Sequence, residues 1–302
     1  MKLIVKTKKL TLCFIIIVYA GFIKQLFSQE IHWEEKAPLP KPMRGTAISW
    51  RNKIYFIEAD KDTSGVYEYD PKLNQWAYKT TMMTQGWNLN LAEVSEIIYA
   101  IGGDPFRDRN EAYNPITNKW NSLAPMPTAR QHSNCCVFDK KIYVMGGITD
   151  WDSPTAKNEM YEPSKDKWQI QKPLPEPTEN PIIATIGDKI YALCGRELYC
   201  FHPYQNIWEK KKPSPIFISV MFGSAVLDGK LIIPGGQNKE NKALSRVYIY
   251  DPEINQWSRS TDLPKAIQLG GITTLNGKIY VIGGSNSEFE PYANVYEGTI
   301  VK

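Results

Sequence analysis

The chain has 302 residues, 42% hydrophobic and 23% charged, which excludes a disordered or wholly membrane-embedded protein and leaves ample apolar material for a large core. Its formal net charge is +4, but five lysines (Lys2, Lys6, Lys8, Lys9 and Lys24) lie within the first 29 residues, which hold no acid. Without that segment 31 basic residues face 32 acidic ones, a net charge near −1 that offers no electrostatic footprint for nucleic acid.

In chain order the first element is the apolar run at 10–23, set behind four lysines. Its 14 residues fall short of the roughly 20 that a spanning helix needs, so residues 1–29 read as a secretory signal peptide cleaved near Ser28 or Gln29. Leu26 stands where a small residue is usual, which keeps an uncleaved signal anchor as the other reading. Cys13, inside the run and behind Leu12, does not read as a lipidation site. The expectation is a secreted or periplasmic protein with no membrane span in its mature form.

Beyond residue 30 the chain repeats itself. A strand-like segment reads KIYFIEA at 53, IIYAIGG at 97, KIYVMGG at 141, KIYALCG at 189, KLIIPGG at 230 and KIYVIGG at 278. Four of the six end in paired glycines: Gly102 and Gly103, Gly146 and Gly147, Gly235 and Gly236, Gly283 and Gly284. A second segment holds an aromatic residue two before a proline and seven before a tryptophan: YDPKLNQW at 69, YNPITNKW at 113, YEPSKDKW at 161, FHPYQNIW at 201 and YDPEINQW at 250. The repeat tryptophans are Trp33, Trp76, Trp120, Trp168, Trp208 and Trp257. All but Trp76 are followed seven positions later by proline; there the residue is Met83. Self-similarity at such a period signals stacked or radial repeats.

This combination in register resembles kelch repeats, and the resemblance covers about residues 31–302. It implies an all-β propeller of four-stranded antiparallel blades around a central axis. The residues support such a blade on their own terms. Asp228-Gly229 and Asn276-Gly277 favour tight hairpins between the first and second strands. The Tyr-x-Pro turns join third to fourth strands, and each tryptophan brings roughly 150–250 Å² of surface for packing one sheet on the next. The last repeat has a third strand around 295–297 but no tryptophan, whereas Ile31-His32-Trp33 is a fourth strand with nothing before it. Six blades follow, the last closed by the N-terminal strand across residues 30–302 taken as one domain.

In an up-and-down blade the strand-two-to-three loops share a face with the connections between blades, and here these are the segments of uneven length. Variable loops on a rigid scaffold usually carry binding. Candidate ligand residues on that face are Arg44, Trp87, Phe106, Arg107, Arg130, His132, Trp151, Gln268 and Phe289. Trp87 and Trp151 stack on a sugar or anchor a partner, or else plug gaps between loops. Arg44 and Arg130 either grip a carboxylate near the channel mouth or bond backbone carbonyls. The resemblance places an arginine near the start of strand one, where Arg130 fits and Arg44 is displaced by two.

The search for chemistry is mostly negative. His32, His132 and His202 form no spaced ligand set, so neither a metal nor another cofactor is expected. Copper enzymes resembling galactose oxidase need ligands this chain does not supply. The paired glycines end strands and do not open helices, so they cradle no phosphate. Lys210, Lys211 and Lys212 read as a solvated edge. Cys194 and Cys200 re-enter adjacent strands across the shortest loop, leaving a cross-strand disulfide and free buried thiols both open; adjacent Cys135 and Cys136 alternate to opposite faces. The favoured reading is a non-catalytic, exported, monomeric binding propeller for a protein or glycan. The alternative resembles sialic acid mutarotases, with Arg130 or Arg44 holding the sugar carboxylate and Glu179 moving the proton.

Overall fold

Short segments rich in β-branched and aromatic residues, bounded by turn residues, fold into strands throughout. The computed structural model describes residues 29–59, 64–105, 107–149, 153–219 and 223–301, and the signal-peptide segment to residue 28, Phe106 and Trp151 lie outside them. The described residues contain 24 strands in six antiparallel sheets of four, and no helix. Each blade's second strand is almost wholly buried, as in Lys141–Met145, while its fourth is more open to solvent, as in Lys167–Ile170.

The first blade comprises Gly45–Trp50, Lys53–Glu58, Gly65–Asp70 and Gln75–Thr81; the second begins at Asn90–Val94, the third at Asn134–Phe138, the fourth at Ile182–Ile186 and the fifth at Ala225–Leu227. The sixth takes Gly271–Leu275, Lys278–Ile282 and Val295–Ile300 from the C-terminal region and Ile31–Glu35 from the N-terminal one, in register from Ile31 opposite Ile300 to Glu35 opposite Tyr296. The first strands touch one another in cyclic order, the sixth blade returning to the first, so the ring is closed as expected. Its core is divided among clusters at the junctions between blades; one of them joins Leu275, Tyr280 and Val295 of the sixth blade to Ile54, Phe56 and Tyr69 of the first.

The repeat motif is a unit of inter-blade fastening. Trp76, Trp120, Trp168, Trp208 and Trp257 each lie against the aromatic residue seven positions earlier, as with Tyr69 and Trp76 at 4.9 Å between centroids and Tyr250 and Trp257 at 5.0 Å. The indole of Trp168 then donates to the carbonyl of Ala124 in the preceding blade at 2.9 Å, and Trp76, Trp208, Trp257 and Trp33 do likewise with Ala37, Lys172, Lys212 and Thr261. Two residues before each of the five tryptophans from Trp76 to Trp257 stands Asn or Asp, held at positive φ, and in the four blades that carry tyrosine its oxygen accepts the hydroxyl, as from Tyr113 to Asn118 at 2.7 Å and from Tyr161 to Asp166 at 2.6 Å. The same Asp166 oxygen accepts the amide of Ala124, so one short side chain closes the turn and clips the neighbouring blade.

The hairpins behave as their residues require. Asp228-Gly229 and Asn276-Gly277 have φ values of 49°, 72°, 51° and 73°, the paired left-handed conformation of a tight turn. The paired glycines serve close approach as well as conformation: Gly147 has φ 97°, and a Cβ there would sit 2.5 Å from the carbonyl oxygen of Gln131. The first copy, which lacks the pair, instead buries Glu58 in an ion pair with Lys41 at 2.7 Å.

The Cys194–Cys200 disulfide does not form. Both thiols are free and buried. Cys194 pairs in register with Glu197, so Cys200 lies three residues further along, about 10 Å away and on the opposite face of the sheet. Cys194 packs toward the third blade and Cys200 toward the fifth. The short loop brings the strands together but in the wrong register for a bridge.

Candidate functional site

The loop between the second and third strands is shortest in the fourth blade, where only Gly195 and Arg196 separate Cys194 from Glu197. Longer loops rise on both sides, and the gap is a groove of about 620 Å³ on the variable-loop face. Gly195, at φ 62°, also makes room for the floor: a Cβ there would stand 2.7 Å from the ring of Phe217. The Cys-Gly departure in the fourth repeat thus admits an aromatic ring.

Two apolar faces and a set of charges line the groove. Phe217 from the connection between the fourth and fifth blades is 36% exposed, and Phe289 from the sixth-blade loop is 51% exposed. Glu176, Glu179 and Glu197 are its acids, and Lys239 its ammonium. Glu197 already pairs with Lys210 at 2.7 Å, and Glu176 accepts the hydroxyl of Tyr199 at 3.1 Å. At one end Nδ1 of His132 meets Oε1 of Glu179 at 2.6 Å, and Asn180 donates to the same oxygen at 3.3 Å. The hydrogen bond from His132 leads the causes that hold the Glu179 carboxyl below its ordinary range, against partial burial. His132 itself is fixed in a left-handed conformation, φ 55°, by the bond from the Asn180 amide to its carbonyl.

Of the residues expected on this face, His132 and Phe289 meet in the groove with Glu179. Arg130 does not. It is fully buried, with Nη1 on Glu159 Oε2 at 2.6 Å and on the Thr128 carbonyl at 3.1 Å, and Nη2 on the Val144 carbonyl at 3.0 Å. The carboxylate it grips belongs to its own blade, so no sugar or peptide acid reaches it. Gln268 is 1% exposed and spans the fifth and sixth blades, accepting from Gln237 and donating to the Asn286 carbonyl at 2.7 Å. Arg107 bonds Asp104 at 3.1 Å and the Thr149 carbonyl at 3.1 Å, tying the second blade's loop to the third. Trp87 is half-buried and its backbone pairs with Asp104; Arg44 is half-buried on the far side of the ring.

Sequence reasoning passed over Phe217 and Glu176, because both lie in connections whose repeat position carries no side-chain motif. The usable signal was the length of one loop: the shortest connection on a crowded rim leaves a hollow. The central channel, by contrast, is narrow, with a cavity of about 180 Å³ lined by small side chains such as Thr46, Asn90, Asn134 and Thr273.

Residues 88–284 match the KLHDC2/KLHL20/DRC7 Kelch-repeats domain. Human Kelch-like protein 35 is 34% identical over 269 residues, which cover 84% of this chain and 46% of that protein. Mouse Kelch-like protein 36 is 29% identical over 265 residues, 78% of this chain and 43% of that one. The chain therefore spans less than half the length of these curated relatives. The solved structure of YjhT superposes with a TM-score of 0.73, covering 88% of this chain and 99% of YjhT at 17% identity, a likeness of fold. Six blades, the fastened tryptophans and a family match over most of the propeller lead to one statement: this chain belongs to the kelch-repeat family.

Proposed function

We propose that this protein is an exported, monomeric interaction propeller that captures a segment of a partner protein in the groove over the fourth blade. The observation that carries the reading is one groove lined by two rings open to solvent, Phe217 and Phe289, and by more carboxylates than cations. Aromatic residues left exposed in a concave site are where binding energy concentrates. A segment presenting an apolar residue beside a lysine or arginine matches this lining. Export rests on residues 1–29, which are expected to direct a reporter out of the cell.

The test is a peptide-display selection on the purified chain, followed by affinities for the best peptide. Phe217→Ala is expected to weaken binding by about 2 kcal/mol or more, on the order of 30-fold, while the chain still folds and melts cooperatively. Selection of a glycan on an array, with no peptide enriched, would move the ligand to carbohydrate; equal affinity for the variant would remove the groove from the reading.

One observation favours a second reading, a mutarotase-type activity on a sugar. The His132–Glu179 pair is an acid–base couple in the right setting, a concave site wide enough for a monosaccharide. With Arg130 buried, Lys239 is the cation that would face a sugar acid there. Magnetisation-exchange NMR on free sialic acid decides it: acceleration by the parent and none by Glu179→Gln supports the activity, and identical spectra with and without protein remove it.

A further inference from the structure

We infer that the fourth blade carries a binding site for a borderline divalent transition ion, Zn²⁺ foremost, made by Cys200, His202 and Glu209 on the face of the ring opposite the groove. Strand geometry builds it. Cys200 and His202 are two apart on the third strand of the blade, Glu197–His202, so their side chains share a face. Glu209 on the fourth strand, Ile207–Lys210, is the direct cross-strand partner of Cys200. The three ligand atoms lie within 4.8 Å of one another, with Cys200 Sγ 3.9 Å and Glu209 Oε2 3.3 Å from Nε2 of His202.

Those separations suit one ion. Ligands at the usual zinc bond lengths in a tetrahedron stand about 3.3–3.6 Å apart, so the histidine already sits at the required spacing and the half-exposed glutamate has only a short swing to complete the set. Thiolate, imidazole and carboxylate together favour Zn²⁺ or Co²⁺ over Mg²⁺ or Ca²⁺, which take oxygen. Lys211 holds the other glutamate oxygen, Oε1, at 2.6 Å and so turns Oε2 toward the site. Three protein ligands leave the fourth position to water, which enters past Glu209. On binding, the Cys200 S–H bond breaks, its proton passes to solvent, and the sulfur keeps the electron pair as the ligand.

The other blades argue that the set is not a demand of the fold. Where the fourth blade has Cys200, His202 and Glu209, the second has Ala112, Asn114 and Asn121 in the same register. A triple variant Cys200→Ala, His202→Asn, Glu209→Asn therefore writes the second blade's residues into the fourth and is expected to fold. Sequence spacing alone hid the cluster, since Glu209 joins it only through the ladder.

The experiment is equilibrium dialysis of the full propeller against Zn²⁺ alone with metal analysis, and a Co²⁺ titration read by absorbance. One ion per chain is expected, with a thiolate-to-cobalt charge-transfer band that Cys200→Ala abolishes. Each single replacement should weaken binding by at least the roughly 10–100-fold that outer-shell partners of metal ligands carry. The triple variant should melt like the parent in chelator and gain nothing from Zn²⁺. Substoichiometric metal on the parent, or equal metal on the triple variant, overturns the site.

Discussion

The guanidinium of Arg130 and the carboxylate of Glu159 are 0% and 1% exposed in their side chains, 2.6 Å apart. A charge sealed that deeply depends on its partner, because removing one member strands the other in a medium that cannot solvate it. Arg130→Ala or Glu159→Ala is expected to cost about 3–5 kcal/mol in urea unfolding, and the double variant less than the sum of the two. Glu297 offers a test by pH. Burial pushes its carboxyl up, but hydrogen bonds from Lys278 and Tyr280 and the charges of Lys36 and Lys278 outweigh this and hold it below its ordinary 4.5. A depressed carboxyl stabilises the fold fully above 4.5 and loses that contribution as pH falls through the lower folded value. The stability gap between the parent and Glu297→Gln should be widest near neutrality and close in acid, as urea midpoints across pH will show. Arg130 was legible by position alone. Its partner, 29 residues on, was not, since nothing in the sequence says that Glu159 faces inward while Glu162 faces out.

At the scale of strands and turns the sequence was more transparent. The positions that repeat, tryptophan, aromatic and proline, are those that every blade junction needs, so their purpose survives translation from one copy to the next. The turn residue two before each tryptophan was equally regular and was overlooked, because asparagine and aspartate vary while the geometry they serve does not. One junction departs from the pattern. Within the described residues the Trp120 indole N–H has no acceptor. Its counterpart carbonyl, four past Trp76, lies in a fourth strand extended to Gln75–Thr81 whose register shifts opposite Val66 and Tyr67. Trp168→Phe forfeits a made hydrogen bond, whereas Trp120→Phe relieves a donor that has none. The first should cost about 1 kcal/mol more than the second in parallel denaturation curves. Register also accounts for the missing disulfide and for the Cys200 cluster, both of which depend on ladder pairings that a linear reading leaves undefined.

Across the whole molecule, blade count and closure could be read from what was left over at the two ends of the repeat. The location of the groove could not, because it arises from the relative heights of neighbouring loops. The closing contact carries a prediction. Removing residues 30–35 deletes Ile31, buried to 1%, and Trp33, and leaves Val295–Ile300 as an open edge. At least about 3 kcal/mol should be lost, seen as a single downward shift of the entire melting curve. A truncation that melts like the parent would mean the ring does not need its seal.

That same seal joins stretches of chain translated far apart in time, with the amide of Val301 bonded to the carbonyl of Glu30 at 2.8 Å. A polypeptide that has not yet reached Val295–Ile300 offers no partner strand to Ile31–Glu35, which must wait while the first five blades are made. Closure into a circle is thereby postponed until the last strand of the sixth blade has been made, and up to that point the nascent blades form an open arc.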